Sequence, residues 1–231
     1  MKKIILVVAF LFSIFMDAQE TKPMSLISVS GEGKIKITPD QVAISVAVES
    51  KGIKAEDVKS ENDTKIDAVL KFIKKMGVDA KDFQTQMVSL NDQYDYQKKK
   101  HNYVANQTIN ILLKDLTKYD LLMEGLIDSG INNVNGTTFK SSKFESYKSE
   151  ARKLAMNDAK QKADDYVSVL PGQKVGRAFT INDNAQTYQP QINYVMSRAM
   201  TMSDDEAPRN ETLAVGEIEV ICNVSVSFVL E

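Results

Sequence analysis

His101 and Cys222 are the only histidine and the only cysteine of this 231-residue chain, so any Ser-His-Asp or Cys-His arrangement would have to use them. His101 follows Lys98-Lys99-Lys100 between two strand-like segments. That position is a predicted solvated hairpin tip with no evident partner to orient the ring, and no catalytic role is expected of it. One His and one Cys also fall short of the usual zinc ligand sets within a monomer. Cys222 shares an alternating face with Val220, Val224 and Val226. A thiol in such surroundings is buried, raised in pKa and inert, which argues against a redox sensor. Met196, Met200 and Met202 cluster in VMSRAMTM, and thioether ligands suit Cu(I), so these three are the metal candidates. Packing of the methionines on the domain or on a neighbouring subunit is the competing and better reading. Asp164-Asp165 and Asp204-Asp205 are adjacent pairs; neighbouring helix positions diverge, so the first pair predicts a solvated face and no acid/base couple. Gly31-x-Gly33 lies inside strand-like sequence, where a dinucleotide site would need a helix to follow. A bulge or a close backbone approach explains it better. No catalytic, cofactor-binding or metal residue is assigned on this reading, and the chain is not expected to be an enzyme.

The elements that would position these residues follow from hydrophobic period. Ile27, Val29, Ile35 and Ile37 alternate with polar residues, Thr38-Pro39-Asp40 breaks the pattern, and Val42, Ile44, Val46 and Val48 resume it on even positions. This predicts a hairpin. A helix follows from about Ala55 to Met76, with Ile66, Val69, Leu70 and Ile73 on one stripe and Gly77 as its stop. The order repeats with strands near Phe83–Tyr94 and Tyr103–Lys114, and a helix capped by Asp115 and stopped by Gly130. Two ββα units predict an α+β fold, with an antiparallel or mixed sheet covered by helices. A short strand near Asn132–Ser141 leads to the longest helix, about Glu145–Leu170, in which Ala151, Ala155, Ala159 and Ala163 recur every four residues as a packing face. Strands near Lys174–Ile181 and Gly216–Leu230 flank an aperiodic, loop-like segment, residues 182–211.

Lys2 and Lys3 precede an apolar run from Ile4 to Phe15 and a small residue at Ala18, the pattern of a cleaved export signal over residues 1–18. The run is too short for a membrane span, which needs roughly 20 apolar residues. The mature chain, residues 19–231, is expected to begin near Gln19 with no cysteine there to accept a lipid and no transmembrane segment. It forms one domain, with possible sub-units 26–130 and 131–231. Removing Lys2, Lys3 and Asp17 with the leader leaves a net charge of about −3, and no basic stripe exists for nucleic acid. The lone cysteine excludes an internal disulfide, so the core alone must hold the fold.

The segment VSGEGKIKITPDQVAISVAVES, with Gly31-x-Gly33 and Pro39-Asp40, resembles the SIMPL-domain family of exported bacterial proteins, which includes the YggE-like oxidative-stress-defence proteins. The resemblance continues through Tyr103-x-Ala105, Asp115-Leu116 with Gly130, and Gly136 with Phe139. It extends over DAKQKADDYVSVL, Val175-Gly176-Arg177 and Gly216-Glu217-Ile218, and so covers the chain from about Leu26 to Glu231. Asn102 and Val215 depart from it, standing where glycine and proline are common in the family. The resemblance implies a periplasmic α+β domain, larger oligomers in some members, and an association with stress protection. It implies no catalytic residue. The expected function is that of an exported, non-enzymatic binding or scaffold protein protecting the envelope against oxidative or related stress, associating with itself or with envelope proteins. The alternatives are a structural homo-oligomer forming a ring or pore-like body, and Cu(I) binding by Met196, Met200 and Met202.

Overall fold

The computed structural model describes residues 24–97, 99–183 and 215–231, with the backbone alone at Asp95. Among these residues seven strands form two antiparallel sheets, ordered β1-β7-β6 and β3-β4-β2-β5, and three α-helices pack on them. The α+β class expected from the sequence is the class observed.

The first two strands do not form the expected hairpin. β1 (Leu26–Ile37) pairs along its whole length with β7 (Ile218–Leu230), from Leu26 opposite Val229 to Ile37 opposite Ile218. β2 (Gln41–Gly52) lies in the other sheet between β4 (Lys100–Leu113) and β5 (Asn133–Lys140). Thr38-Pro39-Asp40 does separate the two strands, but Asp40 bonds to the end of β5 and its neighbour and not to β1. Asp40 N–H donates to Lys140 O at 3.1 Å, and the Asp40 carboxylate accepts from Ser142 N–H at 2.7 Å and from the Ser142 hydroxyl. These bonds bind the start of β2 to the end of β5, and twelve paired positions with β7 outweigh a local hairpin.

Alternation did predict the buried faces. Val42, Ile44, Val46 and Val48 of β2 are fully buried with Ile109 and Ile111 of β4 under α1 (Ala55–Lys75). Val58, Ile66, Val69 and Ile73 of α1 complete that layer, and burying each such side chain stabilises by about 1.5–3 kcal/mol. Buried Asn62 pins α1 to the sheet by donating from Nδ2 to Val48 O at 3.0 Å. Gly77, at φ +79°, lets the chain leave α1 in a left-handed turn. α2 (Tyr119–Asp128) buries Leu122 and Leu126 against the same core.

α3 (Phe144–Val167) packs on β1 and β7. Its buried stripe is Ala151, Ala155, Ala159 and Ala163, closed by Val167. Gly31 and Gly33 face that stripe. A Cβ on Gly31 would stand 2.0 Å from Ala155 O, and one on Gly33 1.9 Å from Ala151 O. The Gly-x-Gly pair is therefore a close approach of strand to helix backbone, and β1 runs past it without a bulge. β6 (Val175–Asp183) is the outer strand beyond β7, and β3 (Phe83–Asp95) the outer strand beyond β4.

Candidate binding surface

The outer strands differ in how their free backbone is treated. β1 is closed by α3: Asp158 Oδ2 accepts from Glu32 N–H at 2.8 Å, and Lys162 Nζ donates to Ser30 O at 3.1 Å. Lys162 also pairs with Asp158 at 2.7 Å, and this bond together with the Glu32 N–H holds the Asp158 carboxyl below its usual pKa. The edge of β2 beyond β5 is closed by Asn132, whose side chain accepts from Glu49 N–H at 2.8 Å and donates to Glu49 O at 2.6 Å. β3 ends its sheet with Met87 52%, Val88 68% and Leu90 44% exposed. From Phe83 to Asn91 it carries no charged residue and no proline, two of the devices that blunt an edge, and a register shift between Thr85 and Met87 is its one irregularity.

The face of the four-stranded sheet opposite α1 is a trough of about 1000 Å³. Register places its lining on one face: Ser45 lies opposite Asn110 and Gly136, Ala43 opposite Leu112 and Thr138, and Gln84 opposite Asn110. Asn110 Nδ2 donates to Gln86 Oε1 at 2.9 Å, while Asn110 Oδ1 is shielded and has no donor. Asp82 at the rim is neutralised by Lys114, and Lys140 makes no ion pair among the described residues. These groups can donate and accept hydrogen bonds; none forms a nucleophile-base pair.

Among the described residues, the chemical candidates His101, Cys222 and the Asp164-Asp165 pair lie on separate elements and outside the lining of the trough. His101 does have an orienting partner, contrary to the expectation: its Nδ1 lies 2.8 and 3.0 Å from the Asp92 carboxylate oxygens, with the Tyr94 ring 4.9 Å away. Both side chains are exposed, on the β3–β4 hairpin next to Lys99 and Lys100. Cys222 is in the other sheet, 1% exposed, its thiol 3.6 Å from Lys148 O and raised in pKa by burial. Asp164 pairs with Lys160 at 2.6 Å, and Asp165 offers its backbone carbonyl to Ser168. Met196, Met200, Met202, Asp204 and Asp205 lie outside the described residues, as do Lys98 and residues 1–23. No described helix is long and apolar enough to cross a membrane.

Residues 27–228 match the sequence profile of SIMPL, described as a protein family of unknown function (DUF541). The chain belongs to the SIMPL family. It is 25% identical over 210 residues to the uncharacterized protein YggE of Escherichia coli K12, covering 89% of this chain and 83% of that protein. It is 22% identical over 205 residues to the protein of the same name in Edwardsiella ictaluri, covering 85% of each. Against the 26 kDa periplasmic immunogenic protein of Brucella melitensis the identity is 24% over 237 residues, covering 99% of this chain and 93% of that relative.

Within this SIMPL domain, sequence reasoning missed the amide-bearing trough. A signal was present: Gln84 and Gln86 alternate in β3, and Asn106 and Asn110 stand between the apolar residues of β4. Which strands lie side by side decides whether such residues gather, and that is not a local property.

Proposed function

We propose that this SIMPL protein is an exported, non-enzymatic binding or scaffold protein of the periplasm, which associates with itself and with envelope components and helps the envelope withstand oxidative or related stress. The observation that carries the reading is the contrast between β1, whose backbone is held by α3, and the uncharged stretch Phe83–Asn91 of β3, which no helix closes among the described residues. An open edge of this kind adds a strand from a partner, with main-chain hydrogen bonds supplying affinity. The leader pattern of residues 1–18 and the periplasmic name of the Brucella relative support the location. Native mass measurement with crosslinking, on mature protein taken from its own envelope, tests association. Multimers or crosslinked partners are expected; a monomer without partners contradicts the reading. A deletion strain that survives peroxide like its parent removes the stress role.

A second reading is a ring-forming structural homo-oligomer. The four-stranded sheet ends in two dissimilar strands, β3 and β5, and head-to-tail joining of unlike surfaces closes rings when the rotation allows. A symmetric dimer as the largest species would exclude it.

A further inference from the structure

The trough on the open face of the four-stranded sheet has the chemistry of a ligand site, and nothing in the edge association uses it. We infer that it binds a short, hydroxyl-rich saccharide carrying one anionic substituent. Its floor is made of β2 and β4, interior strands paired on both sides, so a ligand there meets side chains and no free backbone. An extended peptide, which gains its affinity from main-chain pairing, finds no partner on such a floor. The polar side chains presented are mostly neutral, Gln84 and Gln86 from β3, Asn110 from β4, Ser45 from β2 and Thr138 from β5, and they stand among apolar residues such as Leu112 and Phe144. Each amide or hydroxyl both donates and accepts, as does each hydroxyl of a sugar. A wholly apolar ligand would leave these amides unpaired, which is costly, whereas a sugar offers C–H faces to the apolar lining and hydroxyls to the amides. Asn110 Oδ1 already lacks a donor, and a ligand hydroxyl that turns the Asn110–Gln86 pair supplies one.

Charge sets the remaining feature. Asp82 is held by Lys114, and Lys81, the other lysine of the lining, stands 3.8 Å from Asp79, so the lining cation without an ion pair among the described residues is Lys140, at the end of β5. A single unpaired cation suits a single carboxylate or other anion, and falls short of a polyanion. The volume, about 1000 Å³, stands at the upper end of the roughly 300–1,000 Å³ of small-molecule sites, and fits a short oligosaccharide better than one sugar ring.

The test titrates ¹⁵N-labelled mature protein with three probes. These are an N-acetylated disaccharide bearing one carboxylate, the same disaccharide as its carboxamide, and a pentapeptide of equal charge. The expected result is movement of the Gln84, Gln86 and Asn110 side-chain amide signals with the saccharides only. The double variant Gln84→Ala/Gln86→Ala, changed at exposed positions, is expected to weaken binding about fivefold or more. Lys140→Gln is expected to weaken the carboxylate probe and leave the carboxamide unchanged. Absence of shifts at millimolar saccharide, shifts confined to another surface, or equal shifts with the pentapeptide would each overturn the assignment. The face of the sheet is read by these spectra and its edge by native mass, so failure of one leaves the other standing.

Discussion

The three-stranded and four-stranded sheets are both backed by helices, yet they end differently. α3 lies so close to β1 that two glycines are needed under four alanines, and from that position Asp158 and Lys162 occupy the outer backbone of the strand. α1 instead sits over the middle strands β2 and β4, and barely reaches β3. The helix position thus decides which edge is sealed. α3 closes β1 of the three-stranded sheet, whereas β3 of the four-stranded sheet, like β6 on the far side of the first, is left largely exposed among the described residues.

The largest way to break this contrast is to push α3 off β1. Gly33→Val places side-chain atoms where even a Cβ would lie 1.9 Å from a backbone oxygen, so overpacking of ~3 kcal/mol or more is expected in thermal or urea unfolding. A Gly33→Val protein within 0.5 kcal/mol of wild type would show that the close approach is not needed. Leu122→Ala, in the core of the other half, should cost about 2–5 kcal/mol by loss of a fully buried side chain, and gives the scale for that comparison.

Unsealing β1 is expected to be milder. Asp158→Ala frees Glu32 N–H and leaves Lys162 with Ser30 O as its acceptor, and because these groups are partly in water the stability loss should be about 1 kcal/mol. Its larger effect is on association: the variant should form complexes through β1 that wild type does not, visible as added mass by light scattering. Unchanged mass would show that sealing does not govern edge use.

Acid sharpens the same point. The Asp158 carboxyl is depressed by the Lys162 bond and the Glu32 N–H. At Asp40 burial pushes upward, but the Ser142 hydroxyl and N–H outweigh it and depress that carboxyl as well. A depressed carboxyl contributes stability that is complete above its unfolded pKa, about 3.9, and is lost as pH falls through the lower folded value. Stability should therefore hold from neutral pH to about 4 and fall below it, with a shallower fall in Asp158→Asn. The smallest effect is expected at Cys222: buried and raised in pKa, it should label slowly with a thiol reagent in the native state and fast after unfolding.

Much of this was legible in the sequence. The alternating sets of β1, β2 and β7, the stripe of α1 and the alanine spacing of α3 each mark a buried face, because burial imposes a local period. The Gly31-x-Gly33 pair was legible as a close approach, though its partner was not. What stayed hidden depends on pairing across the chain. The local pattern pairs β1 with β2 as a hairpin, whereas the partner of β1 lies about 190 residues away in β7. Asp92 as the neighbour of His101 follows from the register of the β3–β4 hairpin, and the trough from the order β3-β4-β2-β5. No residue-by-residue period carries that order.

Backbone hydrogen exchange at two protein concentrations tests the difference between the edges most directly. Amides of β3, residues 83–95, should gain protection as concentration rises, while those of β1, residues 26–37, stay equally protected throughout. Protection of β3 that is independent of concentration, in protein shown to be folded, would contradict the assignment of that strand as the contact edge.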